Sequence, residues 1–162
     1  MRKNLVLLAI ATMMSLSTTA QSLAGHTEMG FTFGSKDGER IELLGDAGAQ
    51  LNNILYVGAG LGVNYYTTAE RWTLPLFANV RVNLPISSSS IQPYLDFKPG
   101  YGVSLEDVID GGFYFSGTAG VEFSDFTVGV GYATQSLGVN AGALGKFNVK
   151  SSGITVKVGY SF

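Results

Sequence analysis

From residue 26 onward, apolar and polar side chains alternate in stretch after stretch of the chain. A period of two marks an extended strand, whose successive side chains point to opposite faces. The last nine residues show it most plainly. Ile154, Val156, Val158, Tyr160 and Phe162 are apolar, with Thr155, Lys157, Gly159 and Ser161 between them. Seven further segments read the same way, and the pattern predicts eight strands joined by turns. The first spans His26–Gly34, with Thr27, Met29, Phe31 and Phe33 on one side. The second, the least regular, spans Glu39–Leu51 and sets Ile41, Leu43, Ala47, Ala49 and Leu51 one way. The third spans Leu55–Tyr66 and the fourth Trp72–Leu84. The fifth covers Ile91–Val103, the sixth Phe113–Phe123 and the seventh Phe126–Gln135; the eighth is the terminal one, from about Phe147.

The turns fall into two sets. Asn52-Asn53, Pro85 to Ser90 and Ser124-Asp125 belong to one end. Lys36-Asp37-Gly38, Thr67 to Arg71, Ser104 to Gly111 and Leu137 to Lys146 belong to the other. Face parity predicts a two-residue loop at Ser124-Asp125, because Phe123 and Phe126 share the apolar face. It predicts three-residue loops at Lys36–Gly38, with Gly38 in the left-handed position of a bulged turn, and at Asn52-Asn53, with a bulge there too. Pro93 and Pro99 fall inside the fifth strand, and proline cannot donate to a ladder. A bulge is therefore predicted near Pro99-Gly100, with faces slipping by one beyond it.

The N-terminus has a different grammar. Arg2 and Lys3 precede an apolar run from Leu5 to Leu16, and Thr18-Thr19-Ala20 closes it with small residues. That is the layout of a secretory signal peptide, with cleavage after Ala20. The run is shorter than the roughly 20 apolar residues a membrane helix requires. An N-terminal core helix is the plainer alternative. No Cys follows, which argues against lipid anchoring, and residues 21–162 form one domain held without disulfides. Taking Arg2 and Lys3 from 10 basic residues leaves 8 against 12 acidic ones, a balance that does not attract nucleic acid.

Which face is the core decides the reading. A soluble eight-stranded barrel, such as a lipocalin-like binder, buries its apolar rows and shows the polar rows to water. Here the polar rows are crowded with Gly and Tyr, as suits a narrow lumen in which small and large groups interlock. The apolar rows end in aromatic residues. Phe33, Tyr65, Trp72, Phe113 and Tyr132 gather at the loop end, and Phe123, Phe126, Tyr160 and Phe162 at the turn end. Two aromatic girdles around an aliphatic band match the two interfaces of a bilayer. The sequence thus predicts an all-β, eight-stranded, antiparallel up-and-down transmembrane barrel.

With its export segment, eight dyad-repeat strands and the ending Val158-Gly159-Tyr160-Ser161-Phe162, the mature chain resembles the small eight-stranded outer-membrane β-barrels of Gram-negative bacteria, the porin-like barrel domain family. The resemblance implies both termini in the periplasm, a monomer among outer-membrane lipids, and delivery by periplasmic chaperones to the barrel-assembly machinery. It makes Val158, Tyr160 and Phe162 an assembly signal.

Catalytic chemistry is hard to find. The single His26 starts the first strand, away from the loop end, so no Ser-His-acid set can form there. It reads as a solvated side chain at the mouth. With no Cys and one His, no metal site is expected, and no cofactor. Glu106, Asp107 and Asp110 in the third long loop read as a solvated acidic loop, with cation-bridged lipopolysaccharide contact as the alternative. The inward rows carry Glu28, Glu42, Asp46, Asp96 and Glu122 against Arg81, Lys98 and Lys157. Arg81 and Asp96 are expected at similar heights on neighbouring strands. The leading reading is a non-enzymatic structural or surface-interaction barrel whose lumen is filled, with Tyr56, Tyr66, Tyr94, Tyr114 and Phe77 supplying bulk. A narrow, weakly cation-preferring channel, gated or ungated, is the second reading and a soluble lipocalin-like binder the third.

Overall fold

The computed structural model describes residues 22–34, 38–86, 90–105, 109–140 and 146–162. The export segment, with its cleavage point, lies outside the described residues, as do Glu106 and Asp107. Eight long strands follow one another: β1 Ser22–Gly34, β2 Arg40–Gln50, β3 Leu55–Tyr66, β4 Arg71–Asn83, β5 Ile91–Ser104, β6 Gly112–Phe123, β7 Phe126–Asn140 and β8 Lys146–Ser161. Each pairs antiparallel with its neighbour in sequence, and β1 pairs with β8, so the sheet closes on itself. Among the described residues there is no helix.

Closure is staggered. Stepping from partner to partner, His26 leads through Asp46, Gly60, Phe77, Gly100, Tyr114 and Gln135 to Ser151 on β8. The direct partner of His26 on β8 is instead Ser161. This displacement along β8 is the shear that tilts the strands and sets the bore, which at eight strands is about as wide as side chains can fill.

The alternation seen in the sequence becomes two faces. Outward side chains such as Leu76 (52 % exposed) and Val130 (55 %) face the surroundings, while inward Arg81 and Lys98 are 0 % exposed. A soluble barrel would have these faces exchanged, so the soluble-binder reading is overturned. Aromatic contacts band both ends: Tyr65 is tilted against Trp72 at 4.6 Å, and Phe126 is edge-on to Tyr160 at 5.4 Å. The Phe162 ring covers Gly25, where a β-carbon would lie 2.6 Å from it. The two backbones exchange hydrogen bonds of 2.8 and 2.9 Å.

Inside, small residues make room for large ones. A β-carbon on Gly60 would meet the tip of the Phe77 ring at 2.7 Å, so the ring reaches over bare backbone.

Several expected boundaries move. The predicted bulge at Pro99-Gly100 is absent: Phe77 faces Gly100 and Val80 faces Phe97 in one register. The missing proline N–H merely leaves Ala78 and Asn79 without ladder partners on β5, and pairing resumes unshifted. Pro75 opens the β3–β4 ladder in the same way between Leu61↔Leu76 and Asn64↔Thr73. Outward Pro99 and inward Pro75 thus cost hydrogen bonds rather than register.

The last hairpin is longer than expected. β7 runs on to Asn140 and β8 begins at Lys146, so half of the stretch read as a loop from Leu137 to Lys146 is paired strand and the other half lies outside the described residues. The strand was hard to see because its apolar residues change sides: Ala133 and Leu137 are buried on the face that polar residues hold lower down. The first connection also shifts. Thr32 opposite Arg40, with Gly34 against Gly38, centres it on Ser35–Asp37, outside the described residues, rather than on Lys36–Gly38.

The turn-end loops follow parity. Phe123 pairs with Phe126, and Ser124 takes a positive φ of 52°, as the first central residue of a II′-like turn does. Asn52–Ile54 form a three-residue loop in which Asn52 Oδ1 accepts hydrogen bonds from the backbone N–H of Ile54 and Leu55, both at 2.8 Å. An Asx turn, with no positive φ at a non-glycine residue, replaces the bulge expected there.

Candidate functional site: the charged lumen

Even-numbered positions of β1, β2 and β5, and odd-numbered ones of β4 and β8, send polar side chains into a bore from which water is almost shut out. Eight ionisable groups singled out from the sequence, Glu28, Glu42, Asp46, Arg81, Asp96, Lys98, Glu122 and Lys157, all line it. Seven are buried, and the Glu122 side chain is 19 % exposed at the turn-end mouth.

Arg81 is the centre. Its Nε donates to Asp96 Oδ2 at 3.3 Å, Nη2 to Glu28 Oε1 at 3.4 Å, and Nη1 to Glu122 Oε2 at 3.4 Å. Its guanidinium lies 4.2 Å from the Tyr94 ring centroid. Arg81 and Asp96 are direct cross-strand partners. Only a fork of fixed donors serves three carboxylates on three strands at once. Lys98 Nζ donates to Glu28 Oε1 at 3.1 Å and to Asp96 Oδ1. Lys157 Nζ donates to Ser116 Oγ at 2.8 Å and stands 3.6 Å from Glu28 Oε2 and 3.8 Å from Glu42 Oε2. Glu28 therefore receives three cations. A buried charge is tolerable only when it is paired, and every carboxylate of this cluster has a cation, although Glu28 Oε2 and Glu42 Oε2 face Lys157 without accepting a hydrogen bond.

Nearby, Asp46 gathers three donors from other strands. His26 Nδ1 is 3.0 Å from Oδ1, Tyr56 OH donates to Oδ1 at 2.6 Å, and Asn79 Nδ2 donates to Oδ2 at 3.0 Å. The expectation of a solvated His26 is overturned. β1 starts at Ser22, so His26 lies inside the bore, 6 % exposed and edge-on to Tyr56 at 4.5 Å.

At the loop end the chemistry changes. Arg40 Nε donates to Glu42 Oε1 at 2.6 Å. Gln135 Oε1 accepts from Tyr66 OH at 2.9 Å, Asn64 Nδ2 at 3.2 Å and Thr73 Oγ1 at 3.3 Å. Arg40 Nη2, Asn64 Oδ1 and Gln135 Nε2 are buried without partners. Tyr56, Tyr66, Tyr94, Tyr114 and Phe77 are all buried and fill the bore.

Arg40 and Gln135 were not singled out by sequence. Arg40 sits at a strand start, yet shares even parity with Glu42 and Asp46, which was signal enough. Gln135 is neutral and carried none. With Arg40 added, five lumen acids face four permanent bases among the described residues, a smaller excess than the five to three read from sequence. Among the described residues no three His, Cys, Asp or Glu side chains are arranged to hold a metal ion. At the turn end the bore opens into a recess of about 560 Å³ lined by Gln50, Asn83, Gln92 and Glu122.

No protein-family model matches the chain, and no curated protein does. Solved structures do. Neisserial surface protein A is 15 % identical, with a TM-score of 0.55 over 86 % of this chain and 96 % of its own. The N-terminal β-barrel domain of Pseudomonas aeruginosa OprF is 11 % identical, with a TM-score of 0.49 over 86 % of this chain and 97 % of that one. A de novo designed transmembrane β-barrel is 14 % identical, with a TM-score of 0.49 over 88 % and 97 %. The match to the neisserial protein shows the fold, a closed eight-stranded up-and-down barrel.

Proposed function

We propose that this chain is an integral outer-membrane β-barrel without catalytic activity, serving a structural or surface-interaction role, with its lumen closed by its own side chains. The observation that carries the reading is the inversion of faces: a belt of exposed aliphatic and aromatic side chains around a core holding Arg81, Lys98, Asp96 and Glu28. Water penalises such a surface, and a bilayer rewards it. Residues 1–20 serve as the export signal, both termini lie in the periplasm, and the mature chain works as a monomer among outer-membrane lipids. Periplasmic chaperones and the barrel-assembly machinery deliver it. Val158, Tyr160 and Phe162 face outward on the closing strand, where assembly factors can read them.

Envelope fractionation tests this reading. The protein should need detergent for extraction, migrate faster on gels before heating than after, and have the mass of residues 21–162. Recovery in the soluble periplasm, or retention of Met1, would refute it. Deleting Phe162 should lower the amount inserted while leaving the unfolding midpoint of inserted protein nearly unchanged. Equal insertion of both forms would remove the assembly-signal role.

A narrow channel is the second reading, and one observation favours it. The unpartnered Arg40 Nη2, Asn64 Oδ1 and Gln135 Nε2 call for water in the loop-side half of the bore. The ion pairs below them oppose through-passage.

A further inference from the structure

The final hairpin outgrows the barrel. β8 pairs with β7 along its whole length, from Phe126↔Tyr160 up to Asn140↔Lys146, in one unbroken register. With β1 it pairs only up to Gly34↔Gly153. Above Gly153 no described residue of β1 lies beside it. The other edge of this projecting arm is covered, because Ile109 and Asp110 pair with Val139 and Gly138 on β7. Among the described residues, the arm therefore ends in a small sheet with one edge capped and one edge, Lys146–Lys150, open.

The register tells which groups point off that edge. At the foot of the strand Phe162 exchanges hydrogen bonds with Gly25 of β1, while the Ser161 N–H donates to Asp125 on the β7 side. Successive residues alternate sides, so even-numbered residues of β8 direct their backbone toward β1. Carried upward, the N–H and C=O of Lys146, Asn148 and Lys150 face away from β7, and no strand among the described residues receives them. An edge of this kind takes up an added strand through backbone hydrogen bonds, and its side chains select the sequence.

From this we infer that the Lys146–Lys150 edge docks an extended acidic peptide segment by strand addition, at the loop end of the barrel. Charge identifies the occupant. The segment Lys146-Phe147-Asn148-Val149-Lys150 has two lysines and no acid. A second copy laid antiparallel about Asn148 would set Lys146 opposite Lys150 twice, and like charges directly opposite destabilise a ladder. A strand with Glu or Asp at alternate positions meets the exposed Lys150 instead, and its apolar positions meet Val149, which is 49 % exposed.

The test uses the mature protein in detergent micelles at low salt. The probe is a fluorescein-labelled, end-capped octapeptide of alternating valine and glutamate, read by anisotropy. Its counterpart alternates valine and lysine. The glutamate peptide should bind at least tenfold tighter than the lysine peptide. Asn148→Pro removes one edge-facing N–H and no bond to β7, so it should weaken binding at least tenfold while heat-modifiable migration stays intact. Lys150→Glu, an exposed substitution that does not enter the barrel, should reverse the preference between the peptides and decides the matter if the proline variant fails to assemble. Absent binding, equal binding of the two peptides, or unchanged affinity in a folded Asn148→Pro protein would overturn the proposal. So would a dimer in sedimentation that Asn148→Pro abolishes, since the occupant would then be a second copy.

Discussion

The two halves of the lumen solve one problem in different ways. Toward the turn end, Arg81 is shared among Glu28, Asp96 and Glu122, and Lys98 and Lys157 converge on Glu28. Toward the loop end a single neutral amide, Gln135, takes three donors, and Arg40 pairs with Glu42 beside atoms that have no partner. The difference teaches where the barrel is shut. In the multiply paired charge cluster every carboxylate already has a cation, and the atoms left without a hydrogen bond, such as Glu28 Oε2, are acceptors rather than donors. A neutral hub with orphaned donors needs water to complete it.

Breaking the turn-side half should cost the most. Arg81→Ala leaves Glu28, Asp96 and Glu122 short of a cation inside the bore, and losing one partner of a buried ionic group costs about 3–5 kcal/mol. Urea-unfolding midpoints in lipid vesicles should fall accordingly. Arg81→Lys should recover only part of the loss, since an ammonium cannot offer a planar fork to three acceptors. A variant as stable as the parent would mean that the cluster is incidental to stability.

On the loop side, Gln135→Leu removes one acceptor from three buried donors. The expected loss is about 1–3 kcal/mol, the cost of unsatisfied buried groups reduced by whatever water reaches them. A loss as large as that of Arg81→Ala would erase the distinction between the halves.

The smallest effect is expected from replacing Arg40 and Glu42 together by Leu. Removing both members of a buried pair in favour of apolar groups is often neutral. The change in midpoint should stay within about 1 kcal/mol, while either single substitution should cost more. If the double variant is as damaged as the singles, the further contacts of Glu42 with Lys157 at 3.8 Å and of Arg40 with Tyr66 OH at 3.5 Å outweigh the pair itself.

The contrast also explains what the sequence could and could not reveal. Period two with one apolar face makes a residue's side of the sheet legible, so Arg81, Asp96 and Lys98 could be placed in the bore from their parity alone. Pairing of Arg81 with Asp96 followed from counting up from short turns. Arg40 shared the even parity of Glu42 and Asp46 and was passed over only because it opens its strand, and His26 was read as solvated because the first strand was taken to begin there rather than at Ser22. Gln135 and Asn64 act through shape and hydrogen-bond geometry, which no local pattern encodes. Pro99 misled because a missing N–H can open a ladder without moving its register. The upper end of β7 was missed because its apolar residues change sides, with Ala133 and Leu137 on the buried face, whereas the start of β8 was read to within one residue.

Single-molecule conductance in planar bilayers tests the central claim, that the charge cluster around Arg81 shuts the bore, most directly. The parent protein should insert and show no large, steady openings. Arg81→Ala should admit water and ions and produce openings in a barrel that still shows heat-modifiable migration. Large stable openings in the parent, unchanged in the Arg81→Ala variant, would show that the bore is open and that this cluster does not close it.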